Sequence, residues 1–287
     1  MAFEGNGTIA APLPPSFLEK TEAAGTAQEK SKLKTLRTYY RLTRLSNHCG
    51  KAAILLPGYF TYQKLRGKQA DNLHLLEVET FARWMSRFTR LLNVEVQIHG
   101  EKMAGNGFFV ANHISWLDAV VLAQLHRFSF VAKDEVKEWP LVGQMSQKMN
   151  TVFIKRTSKF SVYRSLPRLE EALQNGASIL AFPEGTTSVG KQILPFFPML
   201  FETATRTQKP VQPVLLRYTD EAGNLLPEVG FVDGDTVFDT LFRMLEKKRI
   251  VAHIHLLPEL APADCRKQLA RDSREALSKY LETSQTP

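Results

Sequence analysis

Cysteine is nearly absent: the 287 residues hold two, Cys49 and Cys265. Two cysteines make no disulfide framework. Long apolar runs are absent too. No charge-free run reaches the about 18 residues of a membrane-spanning helix, so none is expected. The first residues include acids and prolines where a secretory signal would have a basic start and an apolar run. Neither G-x-x-x-x-G-K-S/T nor G-x-G-x-x-G occurs, which leaves nucleotide hydrolysis and a dinucleotide cofactor unsupported. No serine stands in G-x-S-x-G. The nearest run, Thr187-Ser188-Val189-Gly190, lacks the first glycine, so a serine nucleophile is unsupported as well. What is present is ordinary for a globular protein, at 44% hydrophobic and 23% charged residues, and excludes global disorder, collagen and coiled coil. The length supports one sizeable core.

Acidic residues are missing from one segment. Residues 31–70 carry nine Lys/Arg and no acid, whereas residues 1–30 have a net charge of −2 and residues 71–287 a net of +1. Such a segment points to an anionic surface, membrane or nucleic acid. Residues 1–30, rich in Gly, Ala and Pro without periodicity, read as a disordered tail. From about Lys32 to Leu56, Lys34, Arg37, Arg41, Arg44 and Lys51 recur at helical steps, with Leu33, Leu36 and Tyr40 on a neighbouring face. Pro57-Gly58 predicts a break. A second amphipathic helix follows Asp71, with Phe81, Trp84, Met85, Phe88, Leu91 and Leu92 on one stripe. As a nucleic-acid arm, the basic segment would interleave Tyr39, Tyr40, Tyr59 and Tyr62. As an interfacial helix it offers an apolar face, flanking bases and the stretch 52–56. A solvated structural helix is the plain alternative. The membrane reading is preferred, and no nucleic-acid partner is expected.

Residues 71–287 form the remaining body. Apolar strands are predicted at 94–98, 107–111, 128–132, 152–155, 177–182, 211–217 and 250–256. Helices are predicted near 116–126, 142–149, 159–174, 197–206, 236–247 and 263–282. This alternation predicts an α/β fold: a mixed, largely parallel central sheet flanked by helices, preceded by the amphipathic membrane-binding segment.

The sharpest motif is Asn112-His113-Ile114-Ser115-Trp116-Leu117-Asp118, which follows an apolar strand and opens a helix. Functional residues gather at such strand ends. Within one helix, His113 and Asp118 would diverge by about 140°. They meet if His113 lies in the turn before the helix. Ser115 as N-cap with Asp118 three residues on matches a helix-start signal, and would let Asp118 face back to His113. A carboxylate on one imidazole nitrogen fixes the tautomer and leaves the other nitrogen as a base. On spacing alone, a plain capping box beside an ordinary loop histidine stays open. A second feature, Phe182-Pro183-Glu184-Gly185-Thr186-Thr187-Ser188, offers backbone N–H and hydroxyl donors suited to a polar or anionic head group, or else a simple helix-capping turn. A third, Val152-Phe153-Ile154-Lys155-Arg156, ends a strand in two cations. Arg156 can fork onto phosphate, although a solvated charge pair is the plainer use.

In this order, and followed by Val211-Gln212-Pro213-Val214, these motifs resemble the glycerolipid acyltransferases, in particular the 1-acylglycerol-3-phosphate (lysophosphatidic acid) O-acyltransferases. Val131–Val136 and Trp139–Gly143 resemble the family's intervening segment, and the resemblance covers about residues 75–256. It implies that His113 takes a proton from a glycerol hydroxyl, which attacks an acyl thioester directly. It implies that Asp118 orients His113, and that Arg156, Glu184 and Gly185 bind the acceptor's head, with the Thr186 and Thr187 hydroxyls beside them. The implied partners are a membrane lysolipid, most simply 1-acyl-sn-glycerol-3-phosphate giving phosphatidic acid, and acyl-CoA or acyl-ACP as co-substrate. No other cofactor and no metal are implied. The expected location is the cytoplasmic face of a membrane, peripheral or monotopic. One departure stands out: Thr187 occupies the place of the usual arginine. There the chain resembles the branch that acylates lyso-ornithine lipid or other lysophospholipids. A non-catalytic lipid- or nucleic-acid-binding protein is the reading from a different class, and the His113/Asp118 pair weighs against it. His253-Ile254-His255 puts two imidazoles on one strand face without a Cys or acidic partner at ligand spacing, so no metal is expected there.

Overall fold

The computed structural model describes residues 7–10, 27–66, 70–126, 128–138, 143, 146, 151–154, 159–232 and 234–284. The described residues form eight strands: β1 Gly7–Ala10, β2 Val94–His99, β3 Phe108–Ala111, β4 Phe128–Lys133, β5 Val152–Ile154, β6 Ser178–Ala181, β7 Val211–Thr219 and β8 Ile250–Leu256. They build one sheet in the order β1-β2-β8-β7-β3-β6-β4-β5. Only β1–β2 and β7–β8 pair antiparallel, and the other five pairings are parallel. All seven predicted strands are present. The central strands β3 and β6 are buried along their whole length, as parallel strands covered on both faces must be.

The helices are α1 Ala27–Leu65, α2 Ala70–Leu91, α3 Leu117–Leu122, α4 Lys159–Gln174, α5 Glu202–Thr207, α6 Val237–Glu246 and α7 Arg266–Thr283. On one face Leu45 of α1, Leu91 of α2, Leu117 and Val121 of α3 and Met244 of α6 pack on Val94, Val96 and Ile254. On the other, Leu166 and Leu169 of α4, Ala204 of α5 and Leu277 of α7 pack on Phe108, Ile179 and Leu215. The predicted helix at 142–149 lies almost wholly outside the described residues, as does Trp139–Leu141.

Three expectations change. First, residues 7–10 of the expected disordered tail form β1, with Gly7 opposite Ile98 and Thr8 opposite Gln97. The bare edge of β2 presents unpaired backbone groups, and a short β-forming run satisfies them whatever its surroundings in sequence. Second, α1 continues through Pro57-Gly58. A proline removes one helical hydrogen bond but keeps a helical φ, and α4 likewise carries Pro167 inside it. Third, the basic stripe of α1 does not all face outward. Arg37 and Arg41 are 4% and 8% exposed. Arg37 Nη2 donates to the Glu246 carbonyl at 2.8 Å, and Arg41 Nη1 and Nη2 donate to Leu245 and Lys248 carbonyls at 3.2 Å each. Arg41 also donates to the Lys247 carbonyl. The last turn of α6 has carbonyls with no helical partner and a negative dipole end. Two arginines one turn apart on α1 satisfy both, so the segment packs on the body instead of lying apart from it. Leu36, Tyr39, Tyr40, Ile54, Leu55, Tyr59, Tyr62 and Leu65 remain exposed.

Candidate active site

β3 ends at Ala111, and Asn112 extends its pairing with β7 by a side chain. Its Oδ1 accepts from Leu216 N at 2.7 Å and its Nδ2 donates to the Leu216 carbonyl at 3.1 Å. The chain then leaves the sheet, and His113 follows at the strand end. Its Nδ1 lies 2.7 Å from Asp118 Oδ2. That same oxygen accepts from the backbone N–H of Ile114 at 2.7 Å and of Ser115 at 3.0 Å. The other oxygen, Oδ1, accepts from Tyr218 OH at 2.8 Å. Asp118 is fully buried, and four donors fill it as an acceptor. His113 Nδ1 is therefore the donor in this bond, which leaves Nε2 as the ring nitrogen that can serve as a base. Burial, with Asp118 beside it, holds the Tyr218 hydroxyl well above its usual range, so it stays a donor.

The expected capping box forms by half. Asp118 reaches back to Ser115 N, but the helix starts at Leu117 with Trp116 in the N-cap place and no side-chain cap. Asp118 N turns onto the Ser115 carbonyl at 3.1 Å, and Ser115 Oγ is buried with no partner among the described residues. The carboxylate is drawn into the turn by His113 and Tyr218, which leaves no cap geometry for the hydroxyl.

The second motif lies against this turn. Phe182 stacks on the His113 ring, with centroids 4.1 Å apart and planes 15° from parallel. Glu184, 3% exposed, bridges two segments: Oε2 accepts from His113 N at 3.3 Å and Oε1 from Leu194 N at 3.2 Å. Burial pushes its carboxyl up to about 7, the Asp118 charge adds to this, and the two N–H bonds oppose it. Gly185 takes φ +72°, a turn closed to most side chains. Thr186 is exposed. The Thr187 hydroxyl donates to the Phe231 carbonyl, Ser188 N to the His113 carbonyl at 2.9 Å and Phe231 N to the Ile114 carbonyl at 2.9 Å. Together these three bonds fasten the loops of His113, Thr187 and Phe231 to one another, and the Thr187 hydroxyl is occupied within the protein. His113, Asp118, Glu184, Gly185, Thr186 and Thr187 come together; Arg156 lies outside the described residues. Sequence reading missed Tyr218 and the Phe231 loop. Tyr218 stands in an apolar strand 100 residues from its partner, where nothing marks it as more than core.

A family model described as Acyltransferase matches residues 93–217. A lyso-ornithine lipid O-acyltransferase of Pseudomonas aeruginosa is 35% identical over 195 residues, 68% of this chain and 75% of that protein. The chain belongs to the acyltransferase family. A 1-acyl-sn-glycerol-3-phosphate acyltransferase of Neisseria meningitidis is 37% identical to this acyltransferase over 150 residues, 52% of the chain and 58% of the relative. In fold, this acyltransferase is similar to the 1-acyl-sn-glycerophosphate acyltransferase PlsC of Thermotoga maritima. The TM-score is 0.66 at 20% identity, with 91% of this chain and 99% of that one covered.

Proposed function

We propose that this acyltransferase moves a fatty acyl group from an acyl thioester to the free hydroxyl of a lysolipid. The carrying observation is the Tyr218–Asp118–His113 chain of hydrogen bonds at the end of β3. It leaves one imidazole nitrogen basic and held in place. In this reading the lysolipid O–H bond breaks and its proton goes to His113 Nε2, while the oxygen bonds to the acyl carbon. The C–S bond then breaks, and the departing thiolate takes the proton from His113. Asp118 acts through His113 as a positioning residue. Neither a covalent acyl-enzyme nor a metal is needed. Glu184 and Gly185 shape the loop that receives the acceptor, Thr186 offers an open hydroxyl, and Arg156 supplies a cation for phosphate.

The acceptor in this reading is 1-acyl-sn-glycerol-3-phosphate, giving phosphatidic acid, with acyl-CoA or acyl-ACP as donor. A second reading, lyso-ornithine lipid, is favoured by Thr187, whose side chain lacks the arginine fork and is bound to Phe231. It is also the substrate named for the Pseudomonas relative. No helix among the described residues is long and apolar enough to cross a membrane. Attachment in this reading is peripheral, at the cytoplasmic face. It runs through the exposed Ile54, Leu55, Tyr59, Tyr62 and Leu65 of α1, with Arg44, Lys51 and Arg66 for anionic lipid. The test is purified protein with one acyl thioester and a panel of lysolipids, products identified by mass. Acylation of lysophosphatidic acid supports the first acceptor, and selective acylation of lyso-ornithine lipid replaces it. Thioester turnover with no lysolipid acylated overturns both.

A further inference from the structure

On the sheet face opposite Asp118, three imidazoles meet. His253 and His255 alternate on β8, and sequence spacing shows them no third ligand. The parallel register of β2 supplies it: Gln97 stands across from His253 and His99 across from His255. Alternation along β7 separates this cluster from the transfer site. Tyr218 reaches Asp118 on one face, and Thr219 bonds His253 on the other.

Two of the rings have one nitrogen tied to a hydroxyl. His253 Nε2 lies 2.9 Å from Thr219 Oγ1, and His255 Nδ1 lies 3.1 Å from Tyr280 OH of α7. Such outer partners fix ring orientation and leave the second nitrogen as a ligand. His99 Nε2 is 3.3 Å from His253 Nδ1. One nitrogen from each of the three rings lies within 4.8 Å of the others. Tetrahedral zinc with Zn–N near 2.0–2.1 Å sets its ligand nitrogens about 3.3–3.4 Å apart. The His99–His253 separation matches one edge of that tetrahedron, whereas the His255 ring stacks on His99 with centroids 4.4 Å apart and planes 15° from parallel, so it must turn out of that stack to complete the face. Arg217 stands across from His253 on β7 and opposes a cation. Its Nη1 is turned onto the Ser284 carbonyl at 2.8 Å and hydroxyl at 3.2 Å. Burial first, then neighbouring positive charge, lowers His253 to about 4 and His255 to about 3, so both are neutral near pH 7. Imidazole nitrogen suits zinc, not magnesium or calcium, which take oxygen.

We propose that His99, His253 and His255 bind one zinc ion, with water in the fourth position. The site would tie β2 to β8 and, through Tyr280, to α7. The full chain, freed of metal, is titrated with Zn²⁺ by calorimetry in a His113→Ala background, so that the transfer-site histidine contributes nothing. One zinc per chain is expected. His253→Gln abolishes binding with circular dichroism unchanged, and Tyr280→Phe weakens it about 10- to 100-fold. Crystals of the unaltered chain soaked in zinc provide a test that needs no variant to fold: a zinc-edge anomalous peak between the three rings. Undiminished binding in His253→Gln, or soaked crystals without that peak, would overturn the proposal.

Discussion

Tyr218→Phe removes one oxygen from the centre of the transfer site and little else. The ring stays, so no cavity larger than that oxygen opens. What is lost is the 2.8 Å bond to Asp118 Oδ1, between two fully buried groups. A hydrogen bond to a charged partner contributes about 1.5–3 kcal/mol. For a domain of this size about 2–4 °C of melting temperature goes with each kcal/mol, so a fall of about 3–12 °C is expected. Three donors still hold the other carboxylate oxygen, so His113 keeps its tautomer but with a looser orienting partner. We expect kcat to fall about tenfold, or about 1.4 kcal/mol, with the acceptor KM little changed. A double-mutant cycle with Asp118→Asn isolates the mechanism. If Tyr218 acts through Asp118, its effect on kcat is largely gone in the Asn background. Additivity within about 0.5 kcal/mol is the signature of independent sites. That result, or a Tyr218→Phe enzyme of unchanged stability and rate, would refute the reasoning.

His113→Ala should lower turnover by about 10²–10⁴ with the circular dichroism spectrum preserved, and near-normal turnover by the folded variant defeats its assignment as base. Glu184 is raised from 4.5 unfolded to about 7 folded. Its contribution to stability is therefore full below about 4.5 and lost as pH rises through 7. Melting temperature relative to Glu184→Gln should fall across that interval and level off above it, and a constant difference contradicts the shift. Ile54→Ser with Leu55→Ser should weaken vesicle binding equally at low and high salt, since apolar insertion is not screened, as flotation with anionic vesicles would measure. Arg37→Glu and Arg41→Glu should instead destabilise the fold by facing the carbonyls of α6, which thermal melting separates from a loss of lipid binding alone.

Apolar alternation carries much of the architecture in the sequence itself. Val94–Ile98, Phe108–Ala111 and Val211–Arg217 can be little but strands, because chain-local periodicity and burial on two faces leave few alternatives. His113 and Asp118 were legible for a related reason: five residues of one turn suffice to bring them together. Glu184 and Gly185 announced a turn by local chemistry as well. Interactions across long sequence separations decided the rest. Tyr218 completes Asp118 from another strand, Arg37 and Arg41 find carbonyls more than 200 residues on, and β1 joins β2 because an edge was open. The Ser115 hydroxyl makes no cap because Asp118 N turns onto the Ser115 carbonyl instead. His99 joins His253 only through the β2–β8 register. A sequence determines which segments must hide apolar faces, since that depends on near neighbours along the chain. Which polar group meets which depends on how those segments pack, and that is decided only when the sheet and its two helical layers have formed.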